Sequence, residues 1–327
     1  MRAWRYLRAR RLEWLVLTGL LLALTFILPS IELARPHFRY LAVFDITQSM
    51  NAADTADSST RLTFAKQALA AALGELPCGA ELGLAIFAGH RVFMLFTPVE
   101  VCAHFGEIGA MIRAIDWRMA WEARSEIAKG LFEAITVARK LGQGTRVLFV
   151  SDGHEAPPVN LQFRTRFQGE PGAVKGLIIG VGGPAPTPIP KLDSEDKISG
   201  YWRADEVQQV DTFSLGRQYT SVEKEAMVGV DMHDTERRIR TGTEHLTYLH
   251  ETYLRELAAE AGLGYISLRD PALLARQLTA PELAEPRRQE TDVRWLFALA
   301  ALIAFCARYI LRRGDGRTVL RRRRERG

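Results

Sequence analysis

The sequence predicts an α/β domain with a Rossmann-like, mostly parallel sheet, helices on both faces, and a transmembrane helix before and after the domain. The central region alternates short apolar runs with amphipathic helical patterns, which is typical of a parallel sheet covered on both faces. Two of the apolar runs end in an aspartate, and two uncharged stretches near the termini have the length of membrane helices. With 327 residues, 47% of them hydrophobic and 25% charged, the chain is long enough for one large domain and too apolar to be disordered.

The predicted strands and helices alternate along the centre of the chain. The strand-like runs are 39–45, 81–89, 91–96, 145–152, 174–183 and the second half of 253–268. The helical patterns are 61–76, 100–115, 125–141, the first half of 253–268, and 271–278. Gly89 and His90 separate the second strand from the third, and so tight a turn predicts an antiparallel hairpin at one edge of the sheet. Segment 184–248, rich in proline and then in charge, is predicted to be an irregular insertion within a domain that extends over 38–280.

The net positive charge of the chain comes from its two ends. Residues 1–13 carry a net charge of +4 and residues 308–327 a net charge of +7; because the whole chain carries +5, the part between them carries −6. A nucleic-acid-binding domain usually has its basic residues on the fold itself. The distribution therefore argues against a nucleic acid as partner and indicates two basic tails, 1–13 and 312–327, beside membrane segments.

Two uncharged stretches, 14–31 and 295–311, are predicted to cross a membrane, and only Arg308 interrupts the second. A cleaved signal peptide is the alternative for the first stretch, and a buried helix of a soluble domain is the alternative for the second. Arginine-rich tails stay on the cytoplasmic side of a membrane. This predicts an inner-membrane protein of a Gram-negative cell, with two spans, both termini in the cytoplasm and the main domain in the periplasm.

The three cysteines are too few for a disulfide-dense scaffold or a multi-cysteine zinc array. Cys78 and Cys102 lie in the exported part, on either side of the predicted hairpin, and Cys306 lies in the second predicted span. In an oxidising compartment the first two can form a disulfide. Two unpaired core cysteines are the alternative.

Oxygen-bearing side chains gather at the predicted carboxyl edge of the sheet. Asp45, Thr47 and Ser49 alternate after the first strand, so their side chains can converge on one point, and Asp152 ends another strand. Ser125, at the start of a predicted helix, either adds a third hydroxyl or caps that helix. Carboxylates and hydroxyls form an all-oxygen ligand set, which suits Mg²⁺ or another hard cation such as Ca²⁺ or Mn²⁺.

The residues of this predicted metal site resemble the metal-ion-dependent adhesion site of von Willebrand factor A domains. DITQSM (45–50) matches that family's pattern D-x-[ST]-x-S, and SEIAKGL (125–131) matches its T-[DE]-[IL]-x-x-[GA]-L stretch, with serine in place of threonine. VSDGHE (150–155) matches its TDG stretch. The resemblance covers 38–183 and, more loosely, 250–280.

The resemblance implies how such a site would work. Asp45, Thr47, Ser49 and Ser125 would surround the metal, and Asp152 would act through a water molecule. A partner protein would supply a carboxylate as the last ligand. This implies a protein that binds a partner and is not an enzyme.

The wider layout of the chain resembles two bacterial groups within that family. The order of a predicted span, an A domain and a second span resembles that of the Bat proteins of aerotolerance gene clusters, which accompany MoxR-type AAA ATPases. The same group is resembled in the motifs RLTFAKQALAAAL, LGLAIFAG and GVGG. The chain more particularly resembles the Mxa-type proteins of methanol dehydrogenase gene clusters, in the motifs DITQSMN, LPCG, TPVEVC and DWRMAW. The first expectation is therefore an assembly or maturation factor for a periplasmic enzyme such as methanol dehydrogenase. The alternative is a Bat-type envelope stress component that works with a MoxR-type ATPase and other A-domain membrane proteins.

Several residues near the predicted site have more than one interpretation. Trp117, Arg118, Trp121 and His154 are candidates for a rim of the metal face that contacts a partner, but for the three in DWRMAW packing against the following helix is the favoured interpretation. The pair His154 and Glu155 leaves a metal-dependent hydrolase as the least favoured function. Adjacent loop residues point in different directions, and the sequence has no P-loop, nucleophile elbow or second metal-ligand motif.

Overall fold

The computed structural model describes residues 2–27, 31–142, 144–159, 164–209 and 242–307. The chain divides into two compact units, which are His37–Glu285 and the two ends, Met1–Pro36 with Pro286–Gly327. The predicted tail 312–327 and residues 210–241 of the predicted insertion lie outside the described residues.

The described residues form seven helices and twelve strands. The helices are α1 (Arg2–Ile27), α2 (Arg61–Glu75), α3 (Phe105–Ala114), α4 (Ile127–Leu141), α5 (Glu251–Ala261), α6 (Pro271–Leu278) and α7 (294–307). The strands are β1 (Ile31–His37), β2 (Arg39–Asp45), β3 (Glu81–Ala88), β4 (Arg91–Glu100), β5 (Arg146–Ser151), β6 (Gly176–Gly180), β7 (Thr187–Pro188), β8 (Pro190–Leu192), β9 (Ile198–Tyr201), β10 (Leu246–Thr247), β11 (Gly264–Ser267) and β12 (Glu285–Thr291).

A six-stranded sheet forms the centre of the larger unit, in the order β11-β6-β5-β2-β3-β4. Neighbouring strands are parallel except β4, which runs antiparallel to β3 at the edge. This confirms the predicted mostly parallel α/β sheet with one antiparallel edge hairpin. Because the chain runs from β2 to β3 on one side and later returns to β5 on the other, the carboxyl ends of β2 and β5 lie side by side at the reversal of strand order.

Helices cover both faces of this sheet, as predicted. Along β2 the side chains alternate, so that Tyr40 and Phe44 join the cluster under α2, α3 and α6, whereas Leu41 and Val43 join the cluster under α4 and α5. All seven residues of β2 are buried. This two-sided burial explains why the strand reads as a continuous apolar run in the sequence.

Helix α4 approaches the sheet closely because one of its residues has no side chain. A Cβ on Gly130 would overlap the ring of Phe87 on β3. The close approach sets the depth of the helix start, next to the carboxyl ends of β2 and β5. The position of this helix therefore matters for the site described below.

Near the hairpin, the structure differs from the prediction at the end of β4 and at the start of α3. The helix predicted over 100–115 begins only at Phe105, because β4 continues to Glu100, which pairs with Glu81 of β3. The Glu100 carboxylate then accepts bonds from Gly79 N at 2.6 Å and Ala103 N at 2.5 Å, which closes a turn where a helix was expected. A disulfide joins Cys78 to Cys102 across the same region.

The described part of the predicted insertion is more regular than expected. Strands β8 and β9 form one antiparallel pair, and β7 and β10 form another. These strands are two to four residues long, too short to produce a visible alternation in the sequence.

The unit made from the two ends of the chain contains α1, α7 and a two-stranded sheet of β1 and β12. The predicted spans 14–31 and 295–311 overlap α1 and α7, and residues 28–30 and 308–311 lie outside the described residues. None of the helices in the described ranges is both long and apolar enough to cross a membrane. The two spans are thus a prediction that the structure does not bear out.

Candidate metal site

The loop after β2 folds back on the carboxylate that ends the strand. Asp45 Oδ1 accepts hydrogen bonds from the backbone N of Thr47 at 3.0 Å and from its Oγ1 at 2.6 Å. The hydroxyls of Thr47 and Ser49 lie 3.5 Å apart. On the other side, Ser151 at the end of β5 donates its Oγ to Asp45 Oδ2 at 2.7 Å. All these side chains are buried.

The second carboxylate, Asp152, lies at the end of β5 and is fully buried. Its Oδ1 accepts the backbone N–H of His154 at 3.0 Å, and Ser49 donates its hydroxyl to the same carboxylate. Gly153 permits the turn between them, since its φ of +79° lies in the region that side chains disfavour. The spacing of residues 45–49 and the end of β5 therefore bring both aspartates to one place.

A buried arginine neutralises Asp152. Arg61, at the first position of α2, has no exposed surface; its Nη1 donates to Asp152 Oδ2 at 2.5 Å and to Thr247 Oγ1 at 2.8 Å. The same guanidinium binds Asp54 with two parallel bonds of 2.8 and 2.5 Å. Such a planar two-bond pairing is the arrangement that arginine favours with a carboxylate.

Sequence reasoning missed Arg61, Asp54 and Thr247. One signal was available in the helix: Arg61 shares a stripe with Ala65 and Ala68, at the spacing of a buried helical face. A charged residue in an otherwise apolar stripe indicates a buried partner of opposite charge.

Backbone pairing places Ser125 at the same edge. Its N donates to Ala156 O at 2.7 Å, and its O accepts from Ala156 N at 2.8 Å. The next residue, Glu126, donates its N to Gly89 O at 2.6 Å, which ties the segment to the end of β3. Ser125 precedes α4, which starts at Ile127, and its Oγ is buried without a hydrogen-bond partner among the described residues.

The two aspartates have opposite electrostatic surroundings. Burial, together with the charge of Asp152, raises the pKa of Asp45 to about 7, although the bonds from Thr47 and Ser151 oppose the shift. Burial also raises the pKa of Asp152, but the charge of Arg61 and the hydrogen bonds to the carboxylate outweigh it and hold the pKa below its ordinary value. The pair therefore carries less negative charge than two free carboxylates.

The predicted ligands form a set of oxygen atoms at one edge of the sheet. Thr47, Ser49 and Ser125 line one cavity, and hydrogen bonds join the hydroxyl of Thr47 to the Asp45 carboxylate and that of Ser49 to the Asp152 carboxylate. Oxygen donors of this kind suit a hard divalent cation, and the buried Ser125 Oγ lacks the partner that such a ligand set would give it. In the described residues, the one cluster of three close His, Cys, Asp or Glu ligand atoms is Cys78, Glu100 and Cys102, whose sulfurs form the disulfide.

His154 and Glu155 do not converge on a common centre. The Glu155 carboxylate accepts the first amides of α4, Ile127 N at 3.0 Å and Ala128 N at 3.1 Å, and the hydroxyl of Tyr253 at 2.5 Å. His154 lines the cavity instead, and one of its ring nitrogens donates to the backbone carbonyl of Glu244. Burial lowers the pKa of His154, which favours the neutral ring.

The other three residues predicted to rim the metal face lie outside the cavity lining. Trp117 donates its Nε1 to Asp196 at 2.9 Å, and Arg118 donates to Ser194 O at 2.7 Å, so both contact the turn between β8 and β9. Trp121 is 47% exposed and its ring packs against that of Phe93 on β4.

No known protein-family model matches the chain, and neither does any curated protein sequence. Among solved structures, the chain is similar to an aerotolerance-related membrane protein from Bacteroides fragilis, with 16% identity over 74% of this chain and 96% of that one and a TM-score of 0.48. It is also similar to BatB from Bacteroides thetaiotaomicron, with 17% identity, coverage of 75% and 98%, and a TM-score of 0.48. The structural neighbours include Bat-type and von Willebrand factor A proteins. A von Willebrand factor type A protein from Catenulispora acidiphila matches with 12% identity, coverage of 76% and 42%, and a TM-score of 0.38. These are the groups whose motifs the sequence resembles.

Proposed function

We propose that this chain binds a partner protein through a divalent cation held at the carboxyl ends of β2 and β5. The observation that carries the proposal is the convergence of three hydroxyls and two carboxylates at one edge, with Ser125 Oγ buried and lacking a partner among the described residues. A bound Mg²⁺ would supply a Lewis-acidic centre that accepts one oxygen of an incoming carboxylate.

The chain's own residues would favour an anionic partner at this site. Arg61 offsets the charge of Asp152, and the remaining carboxylate, Asp45, is shared between two hydroxyl donors. A dication surrounded mainly by neutral hydroxyls keeps an unbalanced positive charge. An acidic side chain of the partner would balance it, whereas a basic one would not.

We propose further that the partner is a periplasmic enzyme under assembly, such as methanol dehydrogenase, and that the chain is held at the inner membrane by its two ends. The motifs DITQSMN, LPCG, TPVEVC and DWRMAW support this client. The second candidate is a Bat-type envelope stress component acting with a MoxR-type ATPase, which the layout of the chain and the motif RLTFAKQALAAAL favour. Both candidates use the same metal site and differ in the partner it recognises.

The test is capture of partners by the full-length chain from membranes, in Mg²⁺ and in EDTA. We expect a partner to be captured by wild type in Mg²⁺, lost in EDTA, lost with Asp45→Ala and reduced with Ser125→Ala. Glu75→Ala is the matched control, because Glu75 is exposed at the end of α2 far from Arg61. Identification of the captured protein separates the two candidates. The same partners in every sample would contradict the proposal.

A further inference from the structure

Part of the insertion lies over the loop that carries predicted ligands. The insertion hairpin, residues 190–201, consists of β8, β9 and the turn between them. Strand β8 lies against the turn Gln48–Asn51, which contains Ser49. Next to the hairpin, Ile189 and Trp202 line the same cavity of about 230 Å³ as the three predicted hydroxyl ligands. The hairpin therefore lies over part of the face that a partner protein has to reach.

The base of the insertion hairpin is fixed to the domain. Trp202 donates its N to Ile189 O at 3.0 Å, and Ile189 donates its N to His245 O at 3.2 Å. Strand β7, just before the hairpin, pairs with β10. On β10, Thr247 donates its hydroxyl to the buried Asp152 at 3.1 Å. These bonds join the base to the sheet edge itself.

The turn at the tip of the hairpin holds its own shape. Asp193 Oδ1 accepts the N–H of Glu195 at 2.8 Å and that of Lys197 at 3.0 Å, and Asp193 N donates to Lys197 O at 3.0 Å. Asp196 has a φ of +61°, a conformation that aspartate adopts more readily than most residues. The Asp193 carboxylate thus shapes the turn, and the Asp196 carboxylate bonds outside it.

The Asp196 carboxylate fastens the tip to the segment that leads to Ser125. It accepts a bond from Trp117 Nε1 at 2.9 Å and pairs with Arg118 Nη2 at 3.3 Å. Arg118 also donates its Nη1 to Ser194 O at 2.7 Å. The side chains of Arg118 and Asp196 are 44% and 52% exposed, and exposed pairs of this kind contribute little stability. The tip is therefore attached weakly, in contrast to the base.

The segment to which the tip is fastened is held in place without Asp196. Asp116 Oδ1 accepts the N and the Nε of Arg118, both at 2.8 Å, and Asp116 Oδ2 accepts Nη2 at 2.7 Å. On α2, Lys66 donates its Nζ to Ile115 O at 2.5 Å. Loss of the Asp196 carboxylate would therefore free the tip and leave this segment in position.

We propose that the insertion hairpin is a hinged cover of the metal face, held closed by the contacts of Asp196 with Trp117 and Arg118. The base is the hinge, and release of the tip moves β8 away from the turn Gln48–Asn51. This role rests on the proposed function, because the cover controls how a partner reaches the predicted ligands. Trp117, Arg118 and Asp196 are positioning residues that act through the hairpin.

The experiment measures how fast a thiol under the cover reacts with reagents of two sizes. Gln48→Cys in the full chain with Cys306→Ser provides that thiol, because Gln48 lines the cavity and Cys78 and Cys102 are joined in a disulfide. Methyl methanethiosulfonate is the small reagent, and fluorescein-5-maleimide, which is larger than the cavity, is the large one. All reactions run in EDTA, so the rates do not depend on a cation.

Two variants open the contact from opposite sides. Asp196→Gly removes the carboxylate and suits the φ of +61°. We expect it to raise the rate with the large reagent about fivefold, as for the loss of one hydrogen bond, and to leave the rate with the small reagent unchanged. Trp117→Phe removes the N–H donor and keeps a ring, and should raise the same rate about threefold. The double variant should be no faster than Asp196→Gly, because both changes remove one shared contact.

Each variant has a matched control. Lys197→Gly places a glycine in the same turn, where the exposed Lys197 side chain pairs with Glu195. Trp121→Phe makes the same substitution at an exposed tryptophan that packs against Phe93. Both controls should keep the rates of the Gln48→Cys parent with both reagents.

The outcomes separate the inference from the function on which it rests. Unchanged rates with the large reagent in Asp196→Gly and Trp117→Phe would overturn the inference, and so would an equal rise for both reagents, which would show a general loosening of the site. Either result leaves the proposed function standing, because the labelling needs no cation. Partner capture that ignores EDTA and Asp45→Ala would contradict the proposed function even with the expected labelling rates, and the role of the hairpin as a cover of the metal face would fall with it.

Discussion

Replacing Arg61 with methionine should strongly destabilise the domain, because it removes the counter-charge of a fully buried carboxylate. Arg61→Met keeps an unbranched side chain and loses the bonds to Asp152, Asp54 and Thr247. Asp152 has no exposed surface and would keep its bonds to neutral groups alone. Removing one partner of a buried ion pair typically costs about 3–5 kcal/mol. Whole domains have about 5–15 kcal/mol of stability, so a large part would be lost.

Urea unfolding of the full chain, followed by circular dichroism, measures this loss. With a slope of about 2 kcal/mol per molar urea, the midpoint should fall by about 2 M. The double variant Arg61→Met with Asp152→Asn removes both charges and should recover part of the loss. Arg118→Met is the control: Arg118 pairs with Asp116 and Asp196 at the surface, so its midpoint should stay near that of wild type.

Two results would refute this reasoning. A midpoint of Arg61→Met within about 0.5 M of wild type would mean that the buried pair contributes little. A double variant no more stable than the single one would mean that the loss does not come from the unpaired Asp152 carboxylate but from the packing of the arginine stem or the lost bonds to Asp54.

Two further predictions concern the first turn of α4, which is contacted by Glu155 and contains Gly130. Burial raises the pKa of Glu155 to about 7, so its protonated form is favoured in the folded state; the stability it contributes is present below pH 4.5 and is lost as the pH rises through 7. In the wild type, the free energy of unfolding should therefore decrease between pH 4.5 and 8, and Glu155→Gln should make this decrease smaller by about 3 kcal/mol. Urea unfolding of both proteins at both pH values measures the difference. The same pH dependence in wild type and variant would contradict the prediction. Gly130→Ala should cost about 1–3 kcal/mol because a Cβ there would overlap the ring of Phe87. The control Gly74→Ala, in α2 with open space around it, should be neutral or stabilising, so equal midpoints for the two variants would show that the close approach at Gly130 is unimportant.

The sequence allowed the fold to be predicted where the pattern is local. The helix at 271–278 has the predicted ends because Asp270 caps it and Pro271 begins it. The start of α3 could not be predicted, because the pairing of Glu100 with Glu81 and the turn it closes depend on residues that are close only in the folded chain. The pairing of β1 with β12 joins the two ends of the chain and has no local signal at all.

In the candidate site too, residues close in the sequence could be predicted, whereas contacts between distant residues could not. Asp45, Thr47 and Ser49 could be found because a spacing of two residues in one loop brings them together. The contact of Arg61 with Asp152 spans 91 positions, and only the burial of both ends reveals it. Ile189 and Trp202 line the cavity and lie next to strands of only two to four residues, which are too short to show a pattern, so their place at the site could not be predicted from the sequence.

The pairing of Asp152 with Arg61 has a consequence for how the site responds to its cation. The contacts that order the loop after β2 and the turn after β5 are all made within the chain, by Thr47, Ser151, Arg61 and Thr247. The ligand atoms are therefore held in place by the fold itself, and a cation would bind without first having to order a disordered segment. A chelator should then release the partner while the domain stays folded, so that attachment can be reversed many times without any unfolding of the chain.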